Sequence, residues 1–340
     1  MMSDPHDGLL AIDTHVDIPW PDGPSPFEDG PRCVDLPKLR KGRVAAVCFA
    51  AYVPQGPRDA AGHLASSGRA RAMLAAIAAM APADGSGGML ATTADGIEAA
   101  FAAGKPGIIP AIENGYAIGR DISLLDEFAA AGVRYITLTH NGHNEIGDAA
   151  IPLPNLGDQE VEHGGLSDFG QSAIDRMNEL GILVDISHSA KSTMMQAARR
   201  SRSPVLATHS CMRTLCDHKR NLDDEQLELL AATGGLAQIT LVSGFLRRHA
   251  HASDLTVADI ADHVDYAVKR MGIDHVGIGT DFDGGGGVRG FMNASQVPNL
   301  TAELARRGYN HEELAKIWGG NFLRLLRQAE SLIPAQPVQA

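Results

Sequence analysis

Imidazole and carboxylate side chains stand at or near the ends of several short apolar runs in this chain. They are His15, Asp17, Glu113, His188, His209 and Asp281. Imidazole nitrogens and carboxylate oxygens are common ligands of catalytic metal ions, above all Zn²⁺. Parallel strands of a barrel turn their carboxyl ends towards one face, so a shared metal site at that face explains the placement. The pattern predicts a metal-dependent hydrolase.

His15 and Asp17 form the most informative pair. They are two residues apart, so on an extended backbone both side chains leave the same face and can meet one ion. Taken alone, the motif also fits a solvated turn after a strand. Glu113 follows a second apolar run, and its two oxygens can bridge a pair of metal ions. By itself, Glu113 also fits a surface turn.

Two further histidines share one sequence pattern. His188 and His209 each follow an apolar run and a small hydroxyl residue. One such histidine is usually a hydrogen-bonded core or loop residue, but two at the ends of successive strands favour metal ligation. Asp281 follows the last apolar run, where a barrel can hold a carboxylate against the reacting water.

Composition limits the class of partner. The chain has 340 residues, 44% of them hydrophobic, and a formal net charge of −12 without any run of Lys or Arg. This charge argues against nucleic acid and anionic membrane partners and favours a small substrate. The start of the sequence lacks a secretory pattern and no stretch approaches 18 apolar residues, so we expect a cytoplasmic protein. A homodimer is compatible with the sequence.

Strand-type and helix-type segments alternate along the chain. Strands are predicted at 9–13, 44–53, 107–112, 135–139, 183–187, 205–208, 235–242 and 275–280. Helices are predicted at 60–81, 93–103, 123–131, 168–180, 190–200, 223–232, 256–271, 301–307 and 311–329. Eight apolar strands with intervening helices predict an α/β fold, a (β/α)8 TIM barrel forming one domain over residues 1–340. The alternative, a doubly wound open sheet, lacks its glycine-rich phosphate turn after the first strand.

Five segments carry motifs of a known family. They are residues 13–20 (DTHVDIPW), 135–141 (YITLTHN), 165–170 (GLSDFG), 217–221 (DHKRN) and 279–284 (GTDFDG). Together they resemble the membrane (renal) dipeptidase family of zinc metallopeptidases, within the amidohydrolase superfamily, over nearly the whole chain. The mammalian members are secreted and lipid-anchored, whereas this sequence is similar to the soluble bacterial branch.

The resemblance implies a role for each matched residue. A barrel of this family holds two Zn²⁺ ions, with His15 and Asp17 on the first, His188 and His209 on the second, and Glu113 bridging them. It implies that the ions activate a water to hydroxide, with Asp281 as the general base. His140 would stabilise the tetrahedral intermediate, and Arg220 would bind the carboxylate at the C-terminus of a dipeptide. Family members often accept a D-residue at that end.

Some features leave the prediction open. Residues 236–242 lack the aromatic residue that mammalian members carry near the end of the seventh strand. We expect Thr240 or its neighbours to form this part of the wall of the substrate site differently. His143 has no assigned role and is expected to be a solvated loop residue, and the loops 149–164 and 289–297 are expected to set specificity. Two alternatives to the dipeptidase remain: another amidohydrolase-type activity (deaminase, lactonase or general amidase), and a non-catalytic metal-binding or peptide-binding barrel. The motif His15-Val16-Asp17 differs from the His-x-His motif with which the single-metal deaminases of this superfamily usually begin. This difference argues against a deaminase.

Overall fold

The computed structural model describes residues 4–18, 21 and 23–334, which form an α/β barrel. Pro19 and Trp20 of the first motif lie outside the described residues. The strands are β1 (Ile12–Asp17), β2 (Ala46–Tyr52), β3 (Met89–Leu90), β4 (Gly107–Glu113), β5 (Tyr135–Thr137), β6 (Leu183–Asp185), β7 (Leu206–Ser210), β8 (Leu236–Ile239) and β9 (Val276–Ile278). All are parallel, and their order around the barrel is β1-β2-β4-β5-β6-β7-β8-β9. The short β3 is not part of this ring and pairs only with β4.

Backbone hydrogen bonds between the first strand and the segment after the last strand close the ring. The amide of Asp281 donates to the carbonyl of His15 at 2.9 Å, and the amide of Asp17 donates to the carbonyl of Phe282 at 3.0 Å. Apolar strand residues fill the interior, as expected of strands covered on both faces. The predicted (β/α)8 barrel is therefore confirmed.

Helices follow the strands around the barrel. They are α1 (Leu36–Gly42), α2 (Ala60–Ala78), α3 (Ala94–Ala102), α4 (Leu124–Ala130), α5 (Asp168–Glu179), α6 (Lys191–Arg200), α7 (Asp224–Ala232), α8 (Ser243–Leu246), α9 (Val257–Met271), α10 (Val297–Arg306), α11 (His311–Ala315) and α12 (Asn321–Glu330), with a π-helical turn at Lys316–Gly320. This turn divides the single helix predicted at 311–329. No described helix is long and apolar enough to cross a bilayer.

Helix α1 was not predicted, although its start carries a local signal. The side chain of Asp35 accepts a hydrogen bond from the amide of Lys38 at 2.9 Å, and a proline occupies the first turn. An N-terminal Asp and an early proline are typical of helix starts. The helix has only seven residues, so its apolar pattern is too short to be recognised.

Strand β1 lies further along the chain than predicted. The expected strand, 9–13, ends where the observed one has barely begun, because pairing with β2 starts at Ile12 and continues to Asp17. His15 is therefore inside the strand and fully buried, not in a turn after it. Asp17 ends the strand, and the backbones of both residues form hydrogen bonds with the segment that follows β9.

Candidate metal centre and active site

Glu113 lies in the middle of the predicted ligands. Its Oε1 is 3.1 Å from Nε2 of His188 and 3.4 Å from Nε2 of His209, while its Oε2 is 3.8 Å from Nε2 of His15. Oδ1 of Asp17 lies 3.6 Å from the same nitrogen of His15. The five predicted ligands, which come from four strands or their ends, thus meet at one site. The two oxygens of Glu113 face different members of it.

The side chains fit one or more metal ions. Nε2 of His15, Nε2 of His209 and Oδ1 of Asp17 are buried and have no hydrogen-bond partner among residues 4–18, 21 and 23–334. Buried polar atoms of this kind ordinarily find a partner, and a metal ion would satisfy all three. Potential ligand atoms within 4.8 Å of one another form two sets, His15 with Glu113 and His209, and Glu113 with His140 and His188. Glu113 belongs to both, which suits a bridging carboxylate.

A second layer of hydrogen bonds orients two of the imidazoles. The hydroxyl of Thr208 donates to Asp185 at 2.7 Å, and its oxygen lies 2.9 Å from Nδ1 of His209 and 3.2 Å from Nδ1 of His15. The hydroxyl of Tyr135 lies 2.8 Å from the same Nδ1 of His15. Because the Thr208 proton is directed to a carboxylate, its oxygen accepts from an imidazole N–H. For His209 this assigns the proton to Nδ1 and leaves Nε2 free to bind a metal.

Left-handed backbone conformations place two of the functional residues. His188 has φ 64° and Asp281 has φ 60°. Residues other than glycine adopt such values rarely, and only where the surrounding structure stabilises them. Gly284 makes room between the acidic side chains of Asp17 and Asp281. A Cβ atom at Gly284 would lie 2.5 Å from Oδ2 of Asp17 and would also clash with Asp281. The glycine therefore permits the two carboxylates to share this side of the site.

The charges of the ligands depend on one another. Burial lowers the pKa of His15, but the carboxylates of Asp17 and Glu113 outweigh it and raise that pKa well above its usual range. Burial acts in the opposite sense on Glu113, yet its histidine neighbours hold its pKa well below its usual range. Burial lowers the pKa of His209 to about 3 and that of His188 well below its usual value. These two imidazoles are neutral at pH 7, the form that binds metal.

Asp281 is a buried acid at the edge of the ligand cluster. Burial raises its pKa well above the usual range; His15 opposes this, and the carboxylate of Asp17 reinforces it. A carboxyl group with a raised pKa binds a proton more readily than an ordinary carboxyl group, as a proton acceptor in catalysis must. Asp281 lies where the sequence predicts it, after the last strand and beside the ligands from the first.

A cavity of about 270 Å³ opens onto the ligands. Its wall includes Glu113, His140, His188 and Asp281 and, from residues not singled out in the sequence, Tyr52, Val242 and Phe245. The ring of His140 lies 4.0 Å from that of His188 and 4.8 Å from that of Tyr52, measured between centroids. Phe245 comes from α8, just beyond β8. The aromatic wall is thus formed by Tyr52 and Phe245, while Thr240 is fully buried.

Arg220 is buried beside the same site, with 3% of its surface exposed. Its Nη2 donates to the carbonyl of His209 at 3.3 Å, and its guanidinium carbon lies 5.3 Å from the centroid of Phe245. Burial lowers the pKa of Arg220 to about 10, so the side chain remains a cation at pH 7. A buried cation near the metal ligands is placed to bind an anionic group of a substrate.

His143 is not solvated, so the expectation of a solvated loop residue is wrong. Its side chain is fully buried; Nδ1 accepts from the amide of Ala149 at 3.0 Å, and Nε2 donates to the carbonyl of Gln159 at 2.9 Å. Both nitrogens are therefore occupied by backbone groups of the loop 149–164. His143 holds this loop in place, a role that depends on contacts distant in sequence.

A (β/α)8 barrel with imidazoles and carboxylates gathered at the carboxyl ends of its strands defines the class of metal-dependent hydrolase barrels. Within this class, residues 6–339 match the profile of the membrane dipeptidase family, peptidase family M19. The match extends over nearly the whole chain. The protein belongs to this family, as its motifs predicted.

Individual relatives agree with the family. Dipeptidase aclJ of Aspergillus oryzae is 37% identical over 220 residues, which is 64% of this chain and 50% of that protein, so the match spans half the length of this relative. The crystal structure of the probable dipeptidase PvdM from Pseudomonas aeruginosa is 28% identical, with a TM-score of 0.90 and coverage of 96% and 97% of the two chains. A metallopeptidase from Rhodobacter sphaeroides, liganded with a phosphinate mimic of the dipeptide L-Ala-D-Ala, is 25% identical, with a TM-score of 0.79 and coverage of 94% and 99%.

Proposed function

We propose that this protein is a dinuclear zinc dipeptidase that hydrolyses the peptide bond of dipeptides. His15 and Asp17 would hold one Zn²⁺ ion, His188 and His209 the other, and Glu113 would bridge them. The observation that carries the proposal is the position of Glu113, whose Oε2 faces His15 while its Oε1 faces both His188 and His209. When bound, such ions polarise a carbonyl group and make a water acidic enough to attack it near pH 7.

The protein's own residues would then perform the proton transfers and bind the charges. Asp281 would take a proton from the attacking water and give it to the leaving amine, a role that suits its raised pKa. His140 lies in the cavity wall next to His188 and would stabilise the negative charge that develops on the carbonyl oxygen. Arg220 would bind the C-terminal carboxylate of the substrate, for which its planar donor group is well shaped.

The comparison with the Rhodobacter sphaeroides enzyme supports a dipeptide substrate. That protein is liganded with a mimic of L-Ala-D-Ala, so a member with the same fold accommodates a D-residue at the C-terminal position. We infer that this chain hydrolyses L-Xaa-D-Xaa as well as L-Xaa-L-Xaa dipeptides.

A matrix of dipeptides assayed with the zinc-loaded protein tests the proposal. We expect hydrolysis of dipeptides with L- and D-residues at the C-terminal position, loss of activity on chelation and recovery on adding zinc. Tripeptides and simple amides should react far more slowly. Hydrolysis of amides or lactones without dipeptides would show a broader amidohydrolase, and binding of metal without any turnover would show a non-catalytic barrel.

A further inference from the structure

Two residues of the sequence motifs have no part in the function proposed above. Asp13 begins the motif at 13–20, and Thr280 belongs to the motif at 279–284. The carboxylate of Asp13 accepts from the amide of Thr280 at 2.9 Å and from its hydroxyl at 2.6 Å. The exposed fractions of the two residues are 3% and 0%. A buried carboxylate thus joins β1 to the residue that directly precedes Asp281.

The hydroxyl of Thr280 also spans Asp281. It donates to Asp13 and accepts from the amide of Phe282 at 3.1 Å. The carbonyl of Thr280 accepts from the amide of Leu241 at 3.2 Å. The backbone N–H, the hydroxyl and the carbonyl of Thr280 are therefore all held by hydrogen bonds, and one of these bonds reaches past Asp281 to the residue that follows it.

Asp281 depends on its backbone for its position. Within residues 4–18, 21 and 23–334, no group donates a hydrogen bond to its carboxylate. Its φ of 60° is a value that residues other than glycine adopt rarely, and only where neighbouring groups stabilise it. The bonds that fix the two peptide groups on either side of Asp281 therefore also direct its side chain.

We propose that Thr280, held by Asp13, positions the general base. The inference rests on the proposed function, because it takes Asp281 to be the residue that transfers the proton. Without the hydroxyl of Thr280, the amide of Phe282 loses its acceptor and one oxygen of Asp13 loses its donor. The turn at Asp281 then relaxes towards ordinary backbone angles, and the carboxylate moves away from the reacting water. A displacement of about 1 Å can lower a rate by about 100-fold.

Replacing Thr280 with Val removes the hydroxyl and keeps the shape of the side chain. We expect kcat of the zinc-loaded enzyme on a dipeptide to fall by about 10- to 100-fold while KM changes by less than about threefold, because Asp281 acts in the chemical step and not in binding. Thr280→Ser restores the hydroxyl and should recover kcat to within about threefold of the unmodified enzyme. Zinc content and melting temperature are measured on each sample. Loss of zinc from Thr280→Val would place its effect on the metal ligands and overturn the inference.

Thr14→Val is the matched control. Thr14 is as deeply buried, and its hydroxyl joins the same two strands by donating to the carbonyl of Ile278 at 2.9 Å. This bond lies before Thr280 in the chain and does not span Asp281. We expect Thr14→Val to lower the melting temperature about as much as Thr280→Val and to keep kcat within about threefold. An equal fall of kcat in both variants would show a general loosening where the barrel closes, which contradicts positioning of the base.

A double-mutant cycle separates positioning from a purely structural effect. If Thr280 acts through Asp281, adding Thr280→Val to Asp281→Asn should lower kcat by less than about threefold more, because the base that it positions is already gone. The same fall in both backgrounds would refute the inference. If Asp281→Asn lowers kcat and Thr280→Val does not, the inference fails and the dipeptidase proposal stands. If Asp281→Asn keeps the full kcat, the proposed role of the base fails and the inference fails with it.

Discussion

The hydroxyl of Thr208 donates to the carboxylate of Asp185 at 2.7 Å. Because the proton of this hydroxyl is directed to Asp185, the neighbouring imidazoles face its oxygen. The lone pairs of this oxygen face Nδ1 of His209 and Nδ1 of His15, so His209, which is neutral, keeps its proton on Nδ1 and turns a bare Nε2 towards the candidate metal centre. One threonine thus contacts two candidate ligands, from β1 and β7, and sets the tautomer of the second.

Replacing Thr208 with Val keeps its shape and removes this control. We expect the affinity for zinc to fall by about 10- to 100-fold, the usual effect of losing a partner behind a ligand. Competition with a chelator measures the affinity, and ¹⁵N chemical shifts of the imidazoles report the tautomers. Thr301→Val is the matched control, because Thr301 also bonds Nδ1 of a histidine, His6 at 2.7 Å, away from the metal centre. Unchanged zinc affinity in Thr208→Val would contradict the assignment.

Replacing Glu113 with Gln tests the bridge. An amide has only one acceptor oxygen and no charge, so we expect both metal sites to weaken and the content to fall from about two zinc ions per chain to less than one. Metal analysis after gel filtration gives the stoichiometry. Glu145→Gln changes another largely buried glutamate, 3.4 Å from His63, and should keep both ions. A fully active preparation with a single ion per chain would rule out the dinuclear site.

Replacing Asp281 with Asn tests the proton transfer. The two side chains have nearly the same shape, but the amide cannot accept and release a proton in the required way. We expect kcat to fall by at least about 100-fold, the lower range for a general acid or base, while zinc content is retained. Steady-state kinetics and metal analysis on the same sample separate the two effects. Loss of zinc would instead identify Asp281 as a ligand.

Amidating the C-terminus of a dipeptide tests Arg220. Leaving one partner of a desolvated charge pair alone costs about 2 to 5 kcal/mol, so kcat/KM for the amide should be about 30- to 5,000-fold lower. Arg220→Met should remove most of this difference, because no buried cation then requires a carboxylate. The ratio of kcat/KM for each dipeptide and its amide is the measurement. Equal values in the unmodified enzyme would favour a general amidase.

The sequence predicts the barrel and the positions of its polar strand ends because both follow short-range rules. His15 and Asp17 share a face through the two-residue period of a strand, and Glu113 and Asp281 follow apolar runs. The sequence does not distinguish Tyr52 and Phe245 as cavity residues, because an aromatic residue near the end of a strand is usually part of the hydrophobic core. Tyr52 could have been found as the last residue of β2, since every strand of a barrel ends at the same face.

The features that the sequence did not predict depend on contacts between distant segments. His143 looks like any polar loop residue until the loop folds back onto it. Likewise, no residue near Ser210 in the sequence indicates that its hydroxyl has no hydrogen-bond partner among the described residues, because this depends on how β6, β7 and the segment of Arg220 pack together. Buried polar groups are satisfied or left open by the tertiary structure, which local patterns do not encode.

The hydrogen bonds between His15 and Asp281 and between Asp17 and Phe282 also bear on the order in which the barrel can assemble during synthesis. The ribosome makes β1 well before β9, so β1 lacks one of its two neighbouring strands until β9 has been synthesised. The acid beside the metal ligands arrives with that last neighbour. Closure of the ring, and with it assembly of the candidate site, therefore follows the synthesis of β9. Long-range pairing of this kind also slows refolding of the complete protein.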